Sequence, residues 1–303
     1  MNKISIKTIM FFILLITTNI ACNSITPTDN NLNSNRSSEQ TKYPIDILDS
    51  NEENIRIYEP VQKMIVLDSA AVEILFAIGE GDKIVGTHSF ISHPEEAKQI
   101  AKVGDAFSIN IEKIIEQEPD LVYIFFDKFA EELNKNNLKV LYIKTLENNF
   151  SNISDQILMW GKITNSTNEA KKLTQQFNNQ IETIKSKINY NNESPKIFID
   201  TTDLWTSGPN TLMGEVLELL NLSNIAHDIS GYAQLSPEII IERNPDFIIT
   251  PNPKTFLDNP AFKEVSAIKN KQIFTLKSDA LSVAGPRFPE GINELASLIY
   301  PEW

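Results

Sequence analysis

A single cysteine, Cys22, stands in a chain of 303 residues, so no disulfide can form within it. Basic residues are outnumbered by acidic ones, 27 Lys and Arg against 40 Asp and Glu, for a formal net charge of −13. Nucleic-acid binding begins with neutralising phosphates, so this chain is a poor candidate for it. Histidines number three, His88, His93 and His227. His88 and His93 do not have the i, i+4 spacing of a helical zinc pair, and no compact cluster of histidines and carboxylates joins them. No direct metal site is expected; His88 could contact a ligand's metal, but it reads first as solvated surface. Catalytic signatures are absent as well: no P-loop, HExxH or GxGxxG, and Ser207-Gly208 is not a nucleophile elbow. Carboxylate pairs are plentiful only because the chain is acidic, so an enzyme is not expected. The one long apolar run, "IMFFILLI" from Ile9, is too short to span a bilayer comfortably.

What is present begins around that run. Lys3 and Lys7 precede it, and "TTNIAC" follows, ending in Cys22. A charged start, a short apolar core and a small residue at Ala21 make a secretory signal. The cysteine just after the core resembles a bacterial lipoprotein signal, in which Cys22 becomes the lipid-modified first residue. A plain signal peptide and an uncleaved anchor remain alternatives, and all three put the folded part outside the cytoplasm. Residues 23–42 are mostly Asn, Ser and Thr and have little to bury, so a disordered tether is expected. Extended at about 3.3 Å per residue, it would reach about 66 Å.

From Tyr43 the pattern turns globular. Alternating apolar and polar residues around "DSNEEN" predict a β-hairpin. "KMIVL", "KIVGT", "DLVYIFF" and "LKVLYI" read as strands, alternating with helices in "AAVEILFAIG", "NIEKIIEQE" and "FAEELNKNN". Ser69 is the expected cap of the first of these helices, Gly79 its stop, and Asn110 the cap of the second. Such alternation predicts a mostly parallel, doubly wound sheet. The rhythm then changes. Ser166 and Glu169 suggest a capping box, and Ala170, Leu173, Phe177, Ile181, Ile184 and Ile188 form one helical stripe. The helix over 166–188 would be about 34 Å long and suits a rigid strut. After Pro195 the strand and helix rhythm resumes, with "KIFID", "DFIIT" and "QIFTL" as strands and helices at "LMGEVLELLN", "SPEIIIERN", "AFKEVSAI" and "PRFPEGINELASLIY".

In order and spacing, the pieces "IVLDSAAVEILFAIGEGDKIVGT", "HPEEAKQIAKVGDAFSINIEKIIEQEPDLV", "TSGPNTLMGEVLELLNLSNIA", "QLSPEIIIERNPDFII", "AIKNKQIFTL" and "GPRFPEGINELA" resemble the substrate-binding proteins of ABC importers that take up cobalamin, iron-siderophores and haem. The resemblance covers about Tyr43 to Trp303. It implies an α/β fold of two Rossmann-like lobes joined by a single long helix, with little hinge motion. The implied organisation is a lipoprotein signal over 1–22, the tether over 23–42, an N-terminal lobe over 43–165, a linking helix over 166–190 and a C-terminal lobe over 191–303. It also implies a monomer outside the cytoplasm, periplasmic or on the outer cell surface, anchored through lipid on Cys22. Such a protein has no cofactor of its own and carries a corrinoid or iron chelate as cargo.

Within the family, "LKSDALSVAGPR", "WTSG" and "GYAQLSPE" resemble the cobalamin branch. The resemblance places Phe90, Phe125, Trp205 and Tyr232 against the corrin and its lower base, and Asp279 and Arg287 at the branch's acidic and basic positions. One further aromatic position falls on Ala106, with Phe107 beside it. Aromatic walls suit a broad apolar corrin face, and a few polar groups suit its amide rim. Each aromatic has the alternative of packing in its own lobe, and Asp279 and Arg287 that of pairing with each other. Arg287 would equally serve an anionic siderophore or a haem propionate. A second class of function is an enzyme or surface protein reusing the fold, as nitrogenase-like enzymes do, although their cluster-ligating cysteines are missing.

The segment "IEKIIEQEPDLVYI" (111–124) recurs as "PEIIIERNPDFIIT" (237–250), with Glu112 on Glu238, Pro119 on Pro245 and Asp120 on Asp246. Near a helix start, a glutamate complements the helix dipole, which is a sufficient structural reason for it. The resemblance adds a second: in the cobalamin branch the matching glutamates dock onto arginines of the dimeric permease, one per lobe. Glu112 and Glu238 are the expected docking residues.

Overall fold

In a computed structural model of the chain, residues 40–105, 108–144, 149–190 and 193–303 are described. The expected hairpin forms from β1 (Ile45–Leu48) and β2 (Asn54–Ile57), which pair antiparallel. Its turn is closed by Asp49, whose carboxylate accepts from the amides of Asn51 and Glu53.

The first sheet is wholly parallel. Its strands are β3 (Met64–Val66), β4 (Ile84–His88), β5 (Lys102–Gly104), β6 (Leu121–Ile124) and β7 (Val140–Tyr142), in the order β5-β4-β3-β6-β7. Both faces are buried, so β3, β6 and β7 are continuous apolar runs whose alternate side chains serve different layers. Met64, Val66, Leu121 and Tyr123 join one cluster, and Ile65, Val122 and Ile124 the other. The second sheet repeats this with β8 (Lys196–Ile199), β10 (Ser223–Asn224), β12 (Phe247–Ile249) and β13 (Ile273–Phe274), in the order β10-β8-β12-β13. Ile197 and Ile199 face the large cluster, and Phe198 the outer one. A short antiparallel ribbon of β9 (Trp205–Ser207) and β11 (Tyr232–Gln234) is added to this lobe.

The connection between the sheets is richer than the sequence pattern suggests. The linking helix is present as α5 (Thr167–Lys187), and beside it runs α4 (Phe150–Thr164). α4 starts against the second lobe, where the Phe150 amide donates to Glu215 at 3.0 Å. It ends against the first, where the Ile163 carbonyl accepts from Val61 at 3.1 Å. Asn165, in the left-handed region at φ 65°, then turns the chain back. The two helices are antiparallel: Ser154 bonds Asn178, and Gly161 lies so close to Ala170 that a Cβ there would come within 2.3 Å of its methyl. Ser166 is the N-cap residue of α5 but makes no capping bond, so the expected capping box is not formed. In this tight turn its hydroxyl meets that of Thr164 instead. One hydrophobic cluster runs from the first sheet through Trp160 and Phe177 of this pair to the second sheet and to Phe288 and Leu295 of α10 (Phe288–Ile299).

The repeated segment occupies the same place in each lobe. Helix α2 (Ile111–Glu116) leads into β6, and α7 (Pro237–Arg243) leads into β12. Each helix is followed by a left-handed residue, Glu118 at φ 49° and Asn244 at φ 48°. Asp120 accepts from the Lys63 amide at 2.9 Å, and Asp246 from the Lys196 amide at 2.9 Å. Each aspartate therefore ties the start of its own strand to the central strand beside it.

Candidate ligand-binding cleft

In doubly wound sheets, ligands bind beyond the carboxyl ends of the strands, where the strand order reverses. The first sheet reverses between β3 and β6, the second between β8 and β12. Segments after three of these strands, Leu67–Ala70 after β3, Phe125 after β6 and Thr201 after β8, line one cavity of about 540 Å³. The starts of α6 (Leu212–Leu219) and α10 contribute Leu212, Met213 and Phe288, and the stretch 281–284 completes a largely apolar wall.

Helix α1 (Ser69–Ala77) begins at this cavity, and its cap lies one residue earlier than expected. Asp68, not Ser69, accepts from the Ala71 amide at 2.8 Å. An aspartate with extended backbone is as good a cap as a serine, and it wins here because the strand ends at Val66, two residues before it, and the helix starts at once after it. The shift leaves the Ser69 hydroxyl for another partner, His88 Nε2 at 3.0 Å. His88 itself is buried and lines the cavity, contrary to its expected place on solvated surface. Its other nitrogen, Nδ1, accepts from the Phe90 amide at 3.2 Å. Burial and then the Lys102 charge pull its pKa down to about 4, so the ring is neutral at ordinary pH. The helix stops as expected at Gly79, which adopts φ 82°.

Of the aromatics singled out from sequence, Phe90, Phe125 and Tyr232 line the cavity. Phe90 is 70% exposed and Tyr232 55%, so neither is consumed by packing within its lobe. Trp205, 45% exposed, lies outside the cavity wall but belongs to its margin. It shares a face of the β9/β11 ribbon with Ser207 and Tyr232, which do line it, because Tyr232 pairs with Ser207 and side chains alternate along a strand. Gly208 lets that ribbon close: a Cβ there would fall 1.9 Å from the Ile229 carbonyl. Phe126 is a further exposed aromatic beside Phe125 that the sequence pattern did not single out. Phe107 lies outside the described residues, as do Ala106 and Cys22.

Asp279 and Arg287 are paired, at 3.0 Å, which realises one of the two alternatives for them. A third member comes from the other lobe: Glu73 of α1 meets Arg287 Nη2 at 2.5 Å. Ser92, also from the first lobe, donates to the second oxygen of Asp279. Burial raises the Glu73 carboxyl despite the guanidinium beside it, while the Ser92 hydroxyl and then Arg287 hold Asp279 below its ordinary value. The cluster clamps the lobes beside the 281–284 wall. Glu73 had no visible signal in the sequence, since an acidic residue within an apolar helical run reads as solvent-facing.

Glu112 and Glu238 are exposed, each in the first turn of its helix. Both helices lead into the amino ends of their strands, so each glutamate lies toward the carboxyl-end side of its sheet. The Glu238 carboxyl is held below its ordinary value by its own backbone amide and the Ser236 hydroxyl. Among the described residues no group of three or more His, Cys, Asp and Glu could hold a metal ion, and no helix is long and apolar enough to cross a membrane.

Residues 64–280 match the family described as Periplasmic binding protein. An uncharacterized ABC transporter substrate-binding lipoprotein of Bacillus subtilis is 30% identical over 274 residues, 86% of this chain and 87% of the relative. A vitamin B12-binding protein of Vibrio parahaemolyticus is 26% identical over 247 residues, 78% of this chain and 89% of the relative. Among solved structures, a possible iron-binding (periplasmic solute-binding) protein of Staphylococcus epidermidis superposes with a TM-score of 0.70 at 27% identity. It covers 80% of this chain and all of its own. Members of this family bind a transported ligand and hold no resident cofactor. The chain belongs to the periplasmic binding protein family and is an extracytoplasmic substrate-binding protein of an ABC transporter.

Proposed function

We propose that this protein captures cobalamin or a related corrinoid between its lobes and delivers it to a dimeric ABC permease. One observation carries most of the weight: a largely apolar cleft at both switch points is bordered by aromatics that their own lobes leave exposed. Such rings lie flat against a broad macrocycle without much loss of side-chain freedom. Phe90, Phe125 and Tyr232 hold the ligand's faces, with Trp205 at the margin and Phe107 as a further aromatic contact. Asp279 and Arg287 brace the wall beside it. Glu112 and Glu238 are the two handles for the permease, one per subunit. Lipid on Cys22 keeps the protein at the membrane, it works as a monomer, and no reaction is catalysed.

A ferric siderophore or haem is the second reading, favoured by the likeness to the possible iron-binding protein of Staphylococcus epidermidis. A calorimetric panel of cyanocobalamin, haem and ferric siderophores separates the two. Micromolar or tighter binding of a corrinoid is expected. Binding of haem or a siderophore with none of any corrinoid refutes the proposal.

A further inference from the structure

The Ser69–His88 pair has a defined hydrogen-bond polarity. His88 Nδ1 accepts from the Phe90 amide, so in the neutral ring the proton sits on Nε2. Nε2 therefore donates to Ser69 Oγ, 3.0 Å away. A hydroxyl has one proton and two acceptor sites, so Ser69 keeps its own proton to give. Both residues line the cleft. The charge of the lining points the same way. Among the described residues it includes one carboxylate, Asp68, and no lysine or arginine. Arg287, close in sequence to the 281–284 wall, is committed to Glu73 and Asp279. A carboxylate on the ligand would face the Asp68 side of the lining, whereas an uncharged carbonyl would take the Ser69 proton without that repulsion.

We infer that Ser69 is the hydrogen-bond donor of the cleft floor, that His88 positions it and is not a metal ligand, and that the pair selects an uncharged carbonyl acceptor over a carboxylate. This rests on the proposed function, and for a corrinoid the acceptor is one of its amide arms.

The test uses the full-length protein in detergent, titrated by calorimetry with four kinds of probe. These are cyanocobalamin, its monocarboxylates with one amide arm hydrolysed in turn, haem, and an uncharged ferric trihydroxamate. Ser69→Ala should weaken cyanocobalamin about three- to tenfold, the worth of one neutral hydrogen bond. Ser69→Thr should restore it. His88→Phe should match Ser69→Ala, and the double variant should lose no more than either, because both remove one interaction. At least one monocarboxylate should bind more weakly than cyanocobalamin to the wild type. Bound aquocobalamin should keep its visible spectrum in wild type and His88→Gln alike. Unchanged affinity in Ser69→Ala, additive losses in the double variant, equal binding of every monocarboxylate, or a cobalt spectrum that shifts on binding and reverts in His88→Gln would each overturn the inference. Binding of the trihydroxamate alone, with the same Ser69 dependence, refutes the corrinoid reading and upholds the inference. Binding of haem alone, or of none of the probes, refutes both.

Discussion

Removing the guanidinium of Arg287 is expected to weaken the protein in a pH-dependent way that identifies Glu73 as the cause. The Glu73 side chain is 3% exposed and Arg287 17%, so this is a mostly buried pair. In Arg287→Met the carboxylate keeps its burial and loses its cation. Breaking buried pairs costs roughly 3–5 kcal/mol. There is a ceiling, because Glu73 can escape by taking a proton. Protonating a carboxyl of ordinary pKa near 4.3 at pH 7 costs roughly 3.7 kcal/mol, so a loss of about 3 kcal/mol is expected there. For a chain of this size that is roughly 6–12 °C in Tm. The sign follows from the direction of the shift. The Glu73 carboxyl is raised by burial even in the wild type, and without Arg287 it rises further. A group whose folded value is raised contributes stability below its unfolded value and loses it as pH climbs through the folded one. The deficit should therefore be full at pH 8 and shrink by about 1.4 kcal/mol per pH unit toward pH 5. Asp279 stays out of this window, since its carboxyl is held low and titrates below it. Urea denaturation followed by far-UV circular dichroism at pH 5 and pH 8 measures both numbers, and Glu73→Gln serves as the second background. A loss under about 1 kcal/mol at pH 8, a deficit unchanged at pH 5, or the same loss in the Glu73→Gln background would refute the reasoning.

Phe90→Ala and Tyr232→Ala should each lower affinity for the bound ligand about tenfold, the worth of one stacked ring, while melting temperatures hold because both rings are exposed; unchanged calorimetric affinity in both would put the ligand elsewhere. The paired charge reversals Glu112→Lys and Glu238→Lys should abolish uptake into cells without altering affinity, and normal transport would end the docking role. Asp120→Ala and Asp246→Ala should each cost about 0.5–1.5 kcal/mol in urea denaturation, the net worth of an exposed hydrogen bond that ties a strand to the central one; a loss in one lobe only would contradict their equivalence. Cys22→Ala should release the protein from the membrane fraction, and retention there would argue for an uncleaved anchor.

Periodicity alone determined most of the fold. Apolar runs of strand length between capped helices can bury themselves only as parallel sheets covered on both faces, and the stripe from Ala170 to Ile184 can bury itself only as a long helix. The repeat around Glu112 and Glu238 likewise showed that one unit is used in each lobe. The aromatics were singled out by the resemblance; Phe90 and Phe125 line the cavity because segments after strands face the mouth of such sheets, and Tyr232 because the β9/β11 ribbon turns it there. Helix α4 was hidden by its asparagine-rich start, although the Asn149–Asn152 capping box and the spacing of Ile153, Ile157 and Trp160 carried its signal. Other features had no sequence signal. Whether Asp68 or Ser69 caps α1 depends on where the strand lets go. That one-residue choice decides whether Ser69 is spent on the backbone or turned to His88. Likewise, Glu73 and Arg287 are 214 positions apart, and no local pattern links them. Local periodicity records which face of an element is buried, but the partner each polar group meets on that face is set by how the two lobes come together.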